Sequence, residues 1–138
     1  VQENRNSSSY GFKNLKTIYV TKPPRGYEFR TDDFSFSGSQ TMNVTFRSQT
    51  NSDKATFIWY RNSYVCPDNY GYWNRFTSSG TTYYFSEHQS LGYSEAYWWY
   101  SGELFYARVP YSFTRTDATR FFNSLHSVSV GSSWNSWN

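Results

Sequence analysis

Thr41-Met42-Asn43-Val44-Thr45-Phe46-Arg47-Ser48 is the stretch that decides the fold. Met42, Val44 and Phe46 alternate with Asn43, Thr45 and Arg47, the period of two expected of a strand with one face buried. Thr50-Asn51-Ser52-Asp53 follows, a run of turn formers that reads as a hairpin loop. The returning segment, Lys54 to Tyr60, carries apolar residues on both faces in Ala55-Thr56-Phe57-Ile58-Trp59-Tyr60. Such a strand is expected at the centre of a sheet, covered on both sides. Met42, Val44, Phe46, Phe57 and Trp59 are therefore the expected core.

Working outward, Leu15 to Thr21 reads as a first strand, closed by Lys22-Pro23-Pro24-Arg25-Gly26. Tyr27 to Arg30 and Phe34 to Ser37 follow, parted by Asp32-Asp33. Thr81 to Ser86 is a strand after the Ser78-Ser79-Gly80 turn, and Ala96 to Tyr100 pairs with Leu104 to Tyr111 around Ser101-Gly102. Pro110 marks a strand end or a sheet edge, since proline cannot donate to a ladder. Ser127 to Val130 restores the period of two. Only Asp117 to Leu125 departs from it: Ala118, Phe121, Phe122 and Leu125 fall at i, i+3, i+4 and i+7, an amphipathic helix for which Thr116 or Asp117 is the expected cap. The expected architecture is all-β, a single-domain antiparallel β-sandwich with a barrel as second choice, and one short helix near 117–125. Residues 1–10, rich in Asn and Ser, are expected to form a flexible arm ahead of a domain covering 11–138.

The 14 Tyr, 12 Phe and 6 Trp make 23% of the 138 residues aromatic, yet the mean hydropathy is -0.81. With few Leu and Ile and a single Met, the core must be built from rings. So many amphipathic rings exceed what one core needs, and the surplus points to a binding surface. The net charge of +3 is scattered without a run of like charges, which predicts a weak pull towards anionic surfaces. A nucleic-acid footprint would need clustered Lys and Arg, so nucleic acid is not an expected partner. A chain opening at Val1, with a Ser/Thr/Asn/Tyr-rich surface and little Lys, is expected to be secreted. A lone cysteine, Cys66, cannot form a disulfide framework, a combination commoner in bacterial than in animal extracellular proteins. Asn6-Ser7-Ser8 and Asn43-Val44-Thr45 match the short N-glycosylation pattern, which carries weight only in a eukaryotic source.

The segment Cys66-Pro67-Asp68-Asn69-Tyr70-Gly71-Tyr72-Trp73-Asn74-Arg75 reads as a ring-crowded loop. Sugars present apolar C–H faces edged by hydroxyls, and rings beside Asn, Asp and Arg match both parts. Asp68, Tyr70, Tyr72, Trp73, Asn74 and Arg75 are therefore the candidate ligand-binding residues, against the alternative that the rings fold inward. In Tyr97-Trp98-Trp99-Tyr100 the side chains alternate between faces, so one pair is core and the other is platform or helix contact; Trp98 is the member taken as a candidate. Trp134 and Trp137 are expected to staple the tail into a groove of the domain. No cofactor is implied, and with only two His, His88 and His126, and one Cys, Cys66, no metal site is expected. No catalytic residue is assigned: Cys66 lacks an activating motif. Glu87, Glu95 and Glu103 are the carboxylates to test for glycoside hydrolysis, which needs two of them facing each other.

The resulting expectation is a secreted, non-catalytic protein that binds a carbohydrate or cell-envelope glycan through exposed Tyr and Trp. Two other classes compete: a membrane-active, bacteriocin-like toxin acting on an anionic surface, and a self-assembling surface protein using its sheet edges.

Overall fold

The computed structural model describes residues 17–37, 41–61 and 73–129. Among the described residues there are nine strands: β1 (Thr17–Val20), β2 (Tyr27–Ser37), β3 (Thr41–Ser48), β4 (Lys54–Tyr60), β5 (Asn74–Ser78), β6 (Thr81–His88), β7 (Tyr93–Tyr100), β8 (Glu103–Pro110) and β9 (His126–Ser129). One helix, α1 (Arg115–Phe122), lies between β8 and β9. Seven strands form an antiparallel sheet in the order β2-β3-β4-β8-β7-β6-β5, and β1 pairs with β9 in a separate ribbon. Two meanders, β2 to β4 and β5 to β8, are thus joined by the antiparallel pairing of β4 with β8. The fold is all-β and sandwich-like, and the large sheet stays open, with β2 and β5 as its edges.

The decisive hairpin forms as its alternation predicts. Met42, Val44 and Phe46 of β3 stand opposite Trp59, Phe57 and Ala55 of β4, and all six are buried. The sandwich's second layer is not a matching sheet: the ribbon and α1 supply it. Phe105 of β8 sits at the centre, stacked on Phe57 at 5.8 Å and on Trp98 at 5.9 Å. Tyr19 of β1 sets its ring edge-on to Trp59 and to Phe105. From α1, Phe122 packs on Trp98 at 5.4 Å and on Tyr83 at 5.5 Å, while Phe121 meets Phe46 perpendicularly at 5.7 Å. Rings outnumber the larger aliphatics in the core, and offset or edge-on pairs of this kind add to the burial term.

Several expectations are corrected. β4 is central, between β3 and β8, with its Ala55, Phe57 and Trp59 face buried; on its other face Ile58 and Tyr60 are half-buried beside the buried Tyr106 and Leu104, although none of the described elements packs there. Asn74 and Arg75 belong to strand β5 rather than to a loop. Pro110 closes β8, an interior strand, so it marks a strand end and not an edge. The helix begins earlier than its apolar spacing suggests, because Thr114, neither Thr116 nor Asp117, is the cap: its hydroxyl accepts the Asp117 N–H at 3.1 Å. Thr116 and Asp117 fall inside the first turn. The N-terminal arm, Cys66 and the tail tryptophans lie outside the described residues. Among the described residues no helix is long and apolar enough to cross a membrane.

Candidate functional site

The ladder registers assign every side chain of the sheet to a face. One face meets α1 and the ribbon. On the other, Ile58, Tyr106, Tyr97, Tyr84 and Arg75 form a single row across β4, β8, β7, β6 and β5. At 4.7–4.9 Å per strand such a row is roughly 19 Å long. Parallel rows on either side carry Tyr60, Leu104 and Trp99, then Thr56, Arg108, Glu95 and Ser86. Trp73, just ahead of β5, inclines its ring on Tyr97 at 5.4 Å, and Tyr97 meets Tyr106 at 4.7 Å. The three rings are contiguous, but only Trp73 and Tyr97 are partly exposed, Tyr106 being 6% exposed and its face neighbour Leu104 3%. No described helix or strand lies over them.

A polar chain fixes the middle of this face. Glu95 uses both carboxylate oxygens: Oε2 lies 2.6 Å from His88 Nε2, and Oε1 accepts the Tyr106 hydroxyl at 2.9 Å. The same hydroxyl accepts from Arg108 Nε at 2.9 Å, and the Arg108 guanidinium lies 3.9 Å above the Tyr93 ring. Burial, followed by the Glu95 charge and its hydrogen bond, holds the Tyr106 phenol well above the ordinary tyrosine range. The phenol is therefore a neutral donor at any physiological pH. Held between a carboxylate and a guanidinium, it cannot swing, which pre-organises the rings around it. Arg108 itself is exposed and borders a shallow depression of about 300 Å³ with Tyr93, Asp53 and Lys54. The arrangement offers a ring platform with directional donors and acceptors along its margin.

The expected site residues divide. Trp73 is half-buried and lies on the platform, and Arg75 is exposed at the end of its central row. Asn74 alternates to the other side of β5, opposite Phe85. Trp98 is corrected: only 1% of it is exposed, and it packs between Phe105 and Phe122, so it cannot meet a ligand. Its neighbours Tyr97 and Trp99 carry the open face instead. Asp68, Tyr70 and Tyr72 lie outside the described residues. The sequence reading missed Tyr84, Tyr93 and Tyr106. For Tyr84 and Tyr106 the signal was the alternation in Thr81 to Ser86 and Leu104 to Tyr111, which places one ring of each adjacent pair on each face; Tyr93 lies ahead of the strand read from Ala96.

The three carboxylates raised for hydrolysis do not converge. Glu87 stands opposite Ser94 and Glu103 opposite Tyr100, on the alternation of the core face, whereas Glu95 faces the platform. The facing pair that glycoside cleavage requires is not assembled from them. Among the described residues no group of three or more His, Cys, Asp or Glu is placed to hold a metal ion. Comparison with protein-family models, with curated proteins and with solved structures finds no match to this chain.

Proposed function

We propose that the chain is a glycan-binding protein acting outside the cell, taking an extended carbohydrate on the ring-bearing face of its large sheet. The observation that carries the reading is the ring pair Trp73 and Tyr97, both partly exposed on a face over which no described helix or strand lies, with the buried Tyr106 ring buttressing Tyr97. Pyranose rings stack through their C–H faces on such a platform while their hydroxyls reach Arg75 and Arg108 at its margins. Tyrosine and tryptophan lose few rotatable bonds on binding, and the Glu95 network already holds Tyr106, so the ordering cost is low. The scattered net charge of +3 suits a polymer read by shape rather than by charge.

The test is retention on isolated cell walls and on insoluble polysaccharide, with release by free oligosaccharide. Tyr97→Ala and Trp73→Ala should each weaken retention by roughly 1–3 kcal/mol, the range of aromatic anchors in binding sites. Undiminished retention of both variants would remove the platform from the mechanism. Dye release from anionic vesicles without polysaccharide retention would replace the reading with membrane attack.

A further inference from the structure

A second surface lies on the opposite side of the molecule, where edge strand β5 runs beside α1. The helix is anchored along the strand at both ends: the Arg115 guanidinium lies 3.9 Å above the Phe76 ring, and Asn123 at the C-cap donates Nδ2–H to Ser78 Oγ at 3.0 Å. The Tyr83 hydroxyl holds the same amide from below, donating to Asn123 Oδ1 at 2.5 Å. Between strand and helix opens a cleft of about 710 Å³, with Phe76 and Ser78 on one wall and Arg115, Thr116, Thr119 and Arg120 on the other.

β5 pairs only with β6 among the described strands, so alternate residues of it turn their N–H and C=O groups away from the sheet. An edge that no other described strand pairs with, beside a side-chain cleft, is the geometry of strand addition: main-chain bonds supply affinity, and the cleft reads every second side chain. The charges say what kind of strand fits. The cleft lining has two guanidinium groups and no carboxylate, and Arg75 is exposed on the other face of the same edge. Asp117 contacts Arg120 only at 3.3 Å, with both side chains at least half exposed, a pair too weak to neutralise the site. An added strand thus meets Arg115 and Arg120 with one set of side chains and Arg75 with the other. A second copy of the chain pairing through β5 would bring like charges together, which is how natural edges are guarded against self-association.

We propose that the β5 edge and the α1 cleft receive an extended acidic peptide segment as an added strand. The site shares only Arg75 with the glycan platform, and Arg115 and Arg120 belong to it alone, so either site can fail without the other.

The experiment uses the full chain and a fluorescent synthetic peptide alternating threonine and glutamate. Three companion probes are the same peptide with lysine for glutamate, the same peptide N-methylated at alternate amides, and inorganic sulfate. The acidic peptide should bind and slow amide hydrogen exchange within 74–78, leaving β2, the other edge, unchanged. Arg115→Glu with Arg120→Glu should weaken binding about tenfold or more, with a thermal melt close to that of the unmodified protein, since both side chains are exposed. Polysaccharide retention of that variant should be normal. The lysine and N-methylated peptides should not bind. Equal binding of the N-methylated peptide, or full displacement by sulfate at matched ionic strength, would reduce the surface to simple charge attraction and overturn strand addition. Concentration-dependent dimers that protect β5 without peptide would assign the edge to a second copy, and absence of acidic-peptide binding at millimolar concentration would dismiss the site.

Discussion

Tyr97 and Trp98 share a peptide bond and face opposite ways from β7, one to the ring platform and one to Phe105 and Phe122. Their alanine variants should therefore separate two properties. Trp98→Ala removes a fully buried ring and should cost about 3–5 kcal/mol in a urea melt, while Tyr97→Ala should cost far less and act on glycan retention. Equal losses of stability would mean that both faces are core. The sequence predicts the alternation but cannot choose between the faces, because Tyr97 with Trp99 and Trp98 with Tyr100 are equally aromatic pairs. Only the cross-strand partners decide: Trp98 stands opposite Phe105 and Tyr83, all on the side that α1 covers. Ser94 offers a gain in stability. Its hydroxyl is fully buried with no hydrogen-bond partner, so Ser94→Ala should stabilise by about 1 kcal/mol through removal of an unmatched polar group. A loss in the melt would reveal a partner for that hydroxyl. Tyr83 sets a pH limit. Burial raises its phenol to about 12 from an ordinary 10.0, so between these values the unfolded chain releases a proton that the folded chain keeps. The stabilising contribution is complete below pH 10 and disappears as pH rises through the folded value. Tyr83→Phe should flatten the alkaline part of the stability profile attributable to this group, measured by denaturant melts across that range. An unchanged slope would place the alkaline sensitivity elsewhere, with Tyr106 as the next phenol to test.

Strands with one apolar and one polar face were legible at the level of elements, and helix ends and weak edges were not. β3 runs over the residues its alternation marks out, because Met42, Val44 and Phe46 differ sharply from Asn43, Thr45 and Arg47. β5 escaped notice because Asn74 to Ser78 holds a single apolar residue, Phe76, and is stabilised as a strand by its ladder to β6 rather than by its own pattern. The start of α1 was misplaced by reading the first apolar residue as the first turn. The cap is set by backbone geometry: Thr114 is extended, with φ -68° and ψ 162°, and accepts from Asp117 N–H. Thr114→Ala should cost about 1 kcal/mol, while Thr116→Ala should be close to neutral, compared by thermal melts. The reverse ranking would return the cap to the position that apolar spacing suggests. The ring-crowded segment preceding Trp73 was the clearest functional signal in the sequence. Of its residues within the described structure, Trp73 reaches the platform because β5 delivers it beside Tyr97, a contact between segments far apart in the chain that no local pattern encodes.

The whole molecule is a sheet with two unlike sides, and the contrast makes a test of how it binds. One side is closed by α1 and the ribbon over a ring-built core; the other holds the partly exposed Trp73 and Tyr97 rings, backed by the buried Tyr106 and the Glu95, His88 and Arg108 network. Charge is spread thinly around both. Arg47 is held by Asp33 at 2.6 Å and Arg30 by Glu28 at 2.7 Å, leaving a formal excess of +3 for the entire surface. Attraction of such a surface to a polyanion acts through solvent and is screened, with a Debye length of about 10 Å at 0.1 M salt and about 3 Å at 1 M. Stacking of a sugar on rings depends on contact and on removal of apolar surface from water, which salt does not weaken. Retention on an uncharged insoluble polysaccharide should accordingly persist from low to molar salt in the unmodified protein. In Tyr97→Ala it should be reduced by a similar factor at both ends of the range. A retention that collapses with added salt would instead trace binding to the scattered arginines. In that event Arg75→Ala and Arg108→Ala would abolish retention while Tyr97→Ala left it intact, and the ring platform would have to be read as structure alone.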